Sequence, residues 1–477
     1  MHCSRLIVAA AAVTVGACAT NPATGRKQLI LMSEGQEAAL GKEADQQAVA
    51  AYGLYPDEQI QAYVGGLGRK LAAASEKPSL PWSFKVVDDA TVNAFALPGG
   101  YIYVTRGLMT HLRTEAELVS VLGHEIGHVT GRHSASQMSK QQLAMGGLIV
   151  GMMVEPELQR FGGLAQQGLG VLFLKFGRDH ENEADELGLR YMTREEYDPR
   201  EMIEVFGVLD RVGRAEGGAG RMPEWLSTHP NPGNRQTNIQ EQIAKTGATG
   251  SVVNRDAYLR HLDGMVFGDN PREGYFLGQA FYHPDMRFRL TFPGGFKTQN
   301  QRQAVAGVSE GQDAMVALTL TAGTPEEAAR RFLSQQGLQA GRTGRDPIGG
   351  LPAYEAFFEV ATEQGALRGQ VAFVAHDGKT FRLLAYTPAA RFASYQNAFD
   401  AAIRSFAPLR DARYLDVQPK RIDLVRLDRE MGLAEFARAY PSTVEGATIG
   451  LINGVDANQP LARGLLAKRV VGGRLPE

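Results

Sequence analysis

Cysteine is almost absent from this chain of 477 residues: there are two, Cys3 and Cys18, both in the first eighteen positions. The body of the protein therefore has no internal disulfide, and a chain of this size can bury enough core to fold without one. A surplus of one charge is lacking too. Fifty Lys and Arg face fifty-two Asp and Glu, a formal charge of −2, and no block of like charge stands out. That excludes the basic footprint of a nucleic-acid binder. The apolar run Leu6–Ala17 has twelve residues, whereas a helix needs about 20 to cross a bilayer. At roughly 100–200 residues per domain, the length implies two to four domains.

What is present begins with Arg5 followed by that apolar run, the pattern of a secretory signal peptide over residues 1–17. The run ends Val15-Gly16-Ala17-Cys18, which resembles the lipobox of bacterial lipoproteins. The resemblance implies cleavage before Cys18, lipidation of Cys18 and a membrane contact through that anchor only. Ala19 follows in place of Asp, which points to the outer membrane and a periplasmic location. The alternative is an ordinary cleaved signal. Cleavage before Cys18 would also remove Cys3, leaving no free thiol.

Residues 18–32 are expected to be a linker. Ser33 with Gln36 is a capping-box pattern opening a helix, and a second helix is expected over Asp57–Ser75. Phe84–Val87 has strand character. Val92–Thr105 reads as strand, Pro98-Gly99-Gly100 turn and strand. Thr114 with Glu117 caps a helix running to about Arg132. Another helix covers Asp179–Tyr191. Lys245–Ser251 has the Gly/Thr/Ser composition of a linker, so a first domain is placed at 33–246 and an α+β domain at 255–410. Residues 416–472 form a third unit. The fold class expected is α+β: a mostly helical first domain with a small edge β-hairpin, then the α+β domain, then a small tail.

The chemistry lies in His124-Glu125-Ile126-Gly127-His128. Residues i and i+4 share one helix face, so both imidazoles can bind one metal ion. Glu125, about 100° round the helix, can reach a metal-bound water without being a ligand. Leu118, Leu122, Ile126 and Val129 lie on the opposite face and suit burial against a core. Catalytic zinc usually takes three protein ligands and keeps a fourth position for water. His133 falls one residue short of the place where a third histidine follows such a motif, and position 134 is Ser. Glu181 is the better candidate. It lies in Arg178-Asp179-His180-Glu181-Asn182-Glu183-Ala184-Asp185, with Asp185 one turn on, placed to accept the N–H of a ligand histidine. A solvated acidic face is the bland alternative for this stretch.

Taken together, His124–His128, Glu181–Asp185, Thr228-His229-Pro230 with Arg235, and Asn93-Ala94-Phe95-Ala96-Leu97-Pro98-Gly99-Gly100 resemble the HtpX/BepA/Oma-type zinc peptidases, metallopeptidase family forty-eight. The resemblance covers about Ser33–Ala244, half the chain. It implies one zinc ion per chain held by His124, His128 and Glu181, Glu125 as general base, and Asp185 and Arg235 supporting the ligands. It also implies that His229 approaches the metal as a switch or transition-state donor. Protein or peptide substrate would lie extended along Asn93, Ala94, Phe95 and Ala96. The membrane-spanning helices of some members and the helical repeats of others have no counterpart here, so their partners are not transferred.

Residues Ile422 onward resemble a LysM module weakly, with Arg429-Glu430-Met431 in place of its usual turn. This leaves a peptidoglycan contact or a purely structural cap. The leading reading is a metalloendopeptidase acting on misfolded or unassembled proteins. Its rivals are a peptidoglycan-associated hydrolase or anchor, and a chaperone-like assembly factor with a plugged site. The glycine-rich stretch Gly146–Gly170 is either core or a lid over the metal.

Overall fold

The structure is a computed structural model that describes residues 18–21, 23–149, 175–217, 225, 228–229, 232–362, 365–456 and 458–476. Most of the stretch 146–170, considered above as core or lid, lies outside these. Two compact units are formed. One comprises the residues up to 268 with 421–471, the other 269–420 with 472–477. No helix of the described residues is long and apolar enough to cross a membrane.

The residues expected to be a linker are folded. Strands β1 (Cys18–Thr20) and β2 (Lys27–Leu29) pair antiparallel, Cys18 opposite Leu29. Asn21, 1% exposed, closes the turn with its backbone and sends its side-chain amide to Gly131 O at 2.8 Å. Leu31 N bonds Ser139 Oγ. Polar composition suggests a linker here, but the polar groups are used for docking.

Helices α1 (Glu34–Tyr52) and α2 (Glu58–Ala73) start where the caps place them, at Ser33 with a full capping box and at Asp57. A three-stranded sheet follows in the order β3 (Ser83–Val87), β5 (Tyr101–Thr105), β4 (Ala94–Leu97). β3 runs parallel to β5 and β4 antiparallel, which leaves β4 at an edge. Short helix α3 (Arg106–His111) leads into α4 (Glu115–Thr130), which carries the His124–His128 motif behind a Thr114/Glu117 capping box. Helices α5 (His133–Ile149), α6 (Arg178–Arg194), α7 (Arg200–Gly217), α8 (Pro232–Thr246) and α9 (Arg255–Leu262) complete the helical part.

Helix α4 is buried on every side, not along one stripe. Leu118, Leu122 and Ile126 face the main core as expected. The opposite side is covered by α6, which approaches closely because both helices are small there. A Cβ on Gly188 would lie 2.8 Å from His124 N and 3.0 Å from Gly123 C, and one on Gly127 would lie 2.8 Å from Ala184 O. Those neighbours are backbone and cannot swing away.

The boundary expected at 246–255 falls later. Ser251 N and Val252 N bond Glu196 O, Tyr258 OH donates to Met109 O at 2.7 Å, and Tyr258, Leu259 and Leu262 belong to the main core. The Gly/Thr/Ser run is a turn within the unit.

In the second unit, β6 (Tyr275–Leu277), β7 (Ala280–His283) and β8 (Phe288–Thr291) form a four-stranded sheet with β16 (Ala407–Pro408). A seven-stranded antiparallel sheet holds β9 (Lys297–Gln301), β10 (Ala304–Val308), β11 (Met315–Thr321), β12 (Leu338–Gly344), β13 (Ala353–Thr362), β14 (Gly365–His376) and β15 (Lys379–Pro388). Side chains alternate across it. Val371 and Phe373 pack with helix α10 (Pro325–Leu333), while Ala372 and Val374 pack with helix α11 (Phe392–Arg404) and β8. Among the described residues, no group of potential metal donors lies in this unit.

The tail returns to the first unit as β17 (Lys420–Arg426), α12 (Leu433–Ala439), α13 (Gly446–Asn453) and β18 (Leu466–Gly472), with β17 paired to β18. Ile422, Ile452, Leu466 and Val470 enter the main core. Lys468, 0% exposed, donates from Nζ to Thr110 O and Leu112 O, both at 2.7 Å. Each of the four apolar side chains contributes about 1.5–3 kcal/mol on burial. A chain ending at residue 420 is therefore expected to lose the folded first unit, seen as insoluble product or loss of its thermal transition. An unchanged transition would show that the tail is an independent module.

Candidate metal centre

Helix α4 presents His124 and His128 one turn apart, and their Nε2 atoms lie 3.0 Å from each other. Across the close α4–α6 contact, the first turn of α6 delivers Glu181. Its Oε1 is 3.4 Å from His128 Nε2 and its Oε2 3.7 Å from His124 Nε2. His229 Nδ1 comes within 3.0 Å of Glu181 Oε1 and 3.4 Å of His124 Nε2. The four residues are all buried, and their donor atoms lie within 4.8 Å of one another. The structure thus brings together the three expected ligands and adds His229 as a fourth donor. His133 is not among them.

Four N/O donors around a tetrahedral zinc ion, at bond lengths of 2.0–2.2 Å, stand about 3.3–3.6 Å apart. The observed spacings of 3.0–3.7 Å suit that arrangement. Three imidazoles and one carboxylate are also a donor set that zinc takes. The residues present fit the ion.

The surroundings hold these donors in place. Asp185 Oδ1 lies 2.8 Å from His124 Nδ1, so the Nε2 lone pair is free to point inward. Arg235 grips Asp185 in bidentate fashion, Nε to Oδ2 at 2.7 Å and Nη2 to Oδ1 at 2.6 Å, while Nη1 lies 2.7 Å from Glu181 Oε2. Its guanidinium lies 5.0 Å from the ring centres of both Phe206 and Trp225. Nη2 also lies 3.2 Å from His124 Nδ1, so Arg235 braces both the carboxylates and a ligand histidine. Burial opposes the negative charge of Glu181 and Asp185. The neighbouring cations outweigh it: His229 and Arg235 for Glu181, Arg235 for Asp185, and both carboxyls stay well ionised below their usual range. Burial drives the His128 pKa down, which keeps the imidazole neutral as a ligand must be.

Glu125 is different. It is 1% exposed, and neither carboxylate oxygen has a hydrogen-bond partner among the described residues. Burial raises its pKa above the ordinary carboxylate value, against the pull of His229, whose Nε2 is 3.8 Å away. A buried carboxylate free of hydrogen bonds at a donor cluster, with a pKa moved towards neutrality, is what a general base requires.

Of the segment expected to hold substrate, Ala94, Phe95 and Ala96 form edge strand β4, which packs beside α4. Phe95 stacks on Tyr103 with ring centres 4.7 Å apart, and Asn93 is buried at the strand's start. Sequence reasoning missed three neighbours. Phe176 stacks on His128 at 4.1 Å and Trp225 on His229 at 4.7 Å. Neither carries a local signal. Glu183 stood inside the quoted motif but without a role.

Gly188→Ala is expected to destabilise the chain by about 1–3 kcal/mol, because the added methyl has only backbone to meet, and to weaken metal binding by moving Glu181 from the histidines. Urea unfolding and zinc titration of the variant check both.

Residues 58–243 match the profile of Peptidase family M48. The chain is 31% identical over 233 residues to the beta-barrel assembly-enhancing protease of Yersinia pestis, covering 46% of each chain. It is 30% identical over 268 residues to the protein of that name in Escherichia coli strain K12, covering 52% of this chain and 54% of that one. It is 35% identical over 179 residues to the mitochondrial metalloendopeptidase OMA1 of Arabidopsis thaliana, covering 36% and 34%. The match thus spans about half or less of the length of each of these relatives.

Proposed function

We propose, from the match of residues 58–243 to Peptidase family M48, that the chain is a zinc-dependent endopeptidase of the bacterial cell envelope. Its substrates are misfolded or unassembled proteins. The observation that carries this reading is the buried group His124, His128, Glu181 and His229 with Glu125 beside it, its oxygens free of hydrogen bonds among the described residues.

A zinc ion held by His124, His128 and Glu181 would supply Lewis acidity and lower the pKa of a bound water. Glu125 takes the proton from the attacking water and passes it to the leaving amine. Asp185, clamped by Arg235, keeps His124 oriented. Substrate adds to the edge of β4 as an extended strand, with Ala94 and Ala96 contributing backbone groups. The test is cleavage of casein by the chain starting at Cys18. Cleavage that stops with a chelator and returns with zinc is expected, and cleavage indifferent to the chelator would refute the reading.

With zinc held by the other three residues, His229 would take the position that a catalytic site keeps for water, and in this reading it is a switch that withdraws to admit water. His229→Ala is expected to retain zinc and to raise basal casein cleavage several-fold. Reduced cleavage with zinc retained would make His229 a transition-state donor instead.

The lipobox-like segment supports a periplasmic lipoprotein of the outer membrane, anchored at Cys18 beside the docked β1–β2 hairpin. The βααβ order of the tail supports the LysM-like reading of residues 422–472. Its packing into the main core favours a structural cap over a glycan-binding module. Pull-down on purified peptidoglycan separates the two, and retention that depends on the tail's exposed residues would favour the peptidoglycan-associated alternative.

A further inference from the structure

Behind the second ligand histidine lies a cluster that the chemistry above does not use. Helix α4 ends at Thr130, and Arg132 takes a left-handed conformation, φ 53°. This turns the chain so that His133, at the start of α5, falls back against α4. His133 Nδ1 lies 2.9 Å from His128 Nδ1, with the two rings nearly perpendicular. On its far side His133 Nε2 faces Glu183 Oε2 at 3.6 Å. One ring face stacks on His180, centres 4.6 Å apart and 13° from parallel. His133 is 0% exposed.

Two nitrogens at that distance share one proton, so one ring donates and the other accepts. His128 Nε2 points into the donor group and must keep its lone pair free to ligate. The hydrogen of His128 therefore sits on Nδ1 and is donated to His133 Nδ1. His133 in turn carries its hydrogen on Nε2, which faces Glu183 at ion-pair distance without a hydrogen bond among the described residues. The chain His128–His133–Glu183 parallels the pair His124–Asp185 on the other ligand, with one neutral imidazole interposed. Glu183 is steadied from outside by the docked hairpin, through Arg26 Nη1 at 3.7 Å.

We infer that His133 is a positioning residue which, backed by Glu183, fixes the tautomer and ring orientation of His128 towards zinc. This rests on the zinc reading above. It explains why a histidine placed one residue short of a ligand position is buried at the site: it holds a ligand without being one. Partners of this kind are typically worth 10–100-fold in metal affinity.

The test compares zinc dissociation constants, by competition with a chelating indicator, for the unaltered chain, His133→Leu, His133→Gln and Glu183→Gln. His133→Leu is expected to bind roughly 10–100-fold more weakly. His133→Gln, whose amide oxygen can still accept from His128, should recover part of the loss. Affinity in His133→Leu equal to that of the unaltered chain would overturn the inference, as would a glutamine variant no better than leucine. A second reading needs no variant. In the zinc-loaded chain with 15N-labelled histidine, long-range 15N–1H spectra should show His133 protonated at Nε2 and His128 at Nδ1. The opposite tautomer of His133 would overturn the inference even if the leucine variant failed to fold. If the unaltered chain bound no zinc, the zinc reading and this one would fall together, whereas binding that is insensitive to His133 would remove this one alone.

Discussion

Glu125→Gln is expected to lower casein cleavage by about 10²–10⁴-fold, the usual contribution of a positioned general base, while leaving bound zinc and the fold unchanged. The residue is fully enclosed, yet its carboxylate oxygens accept no hydrogen bond among the described residues. Glutamine has the same shape, so no packing is lost and no hydrogen bond is broken. The substitution also removes a charge that burial disfavours, so the thermal transition should stay in place or rise slightly. Initial rates, zinc content and a melting curve on one preparation separate the cases. Full activity in the variant would exclude Glu125 as base. Loss of zinc would make it a ligand.

Arg235→Met is expected to be the most damaging single change to stability. Arg235 is 2% exposed and is the cation between two buried carboxylates, Asp185 and Glu181. Methionine fills part of the space against Phe206 and Trp225 but leaves two negative charges without their partner. Removing one member of a buried ion pair costs about 3–5 kcal/mol, roughly 10 °C in the melting temperature of a unit of this size. The loss should be greater without zinc than with it, because the bound cation faces Glu181 and replaces part of the missing charge. Calorimetry with and without zinc checks both statements. An unchanged melting temperature would show that the carboxylates are protonated or solvated.

Much of the metal centre could be read from the sequence because its signals are local. The i, i+4 spacing of His124 and His128 and the cap at Thr114 act within one helix, and both appear in the structure as expected. Glu181 and Asp185 were accessible through the same spacing on a second helix, once a ligand was being sought. The fourth donor was not, since nothing near His229 in sequence shows that it packs on Trp225 and meets Glu181. That assignment came from the family resemblance alone. The meeting of α4 and α6 depends on Gly123 facing Gly188 and Gly127 facing Ala184, and a single glycine carries no label for its partner.

The misread segments share a cause. Residues 18–32 and 245–251 are polar or glycine-rich, which suggests linkers when composition is taken alone. In the structure their amides and carbonyls find partners far along the chain, Asn21 on Gly131 and Ser251 on Glu196. The return of residues 421–471 to the first core is equally non-local. A separate tail with a weak LysM resemblance was visible, but the burial of Lys468 on Thr110 and Leu112, more than 350 positions away, was not.

The most direct test of the account is the metal content of the chain purified from Cys18 onward, measured by mass spectrometry of the elements beside Glu181→Gln and His128→Ala. One zinc per chain, lost or sharply reduced in both variants with the fold retained, is the predicted result. Absence of zinc from the unaltered chain after zinc has been supplied, or undiminished zinc in both variants, would contradict it.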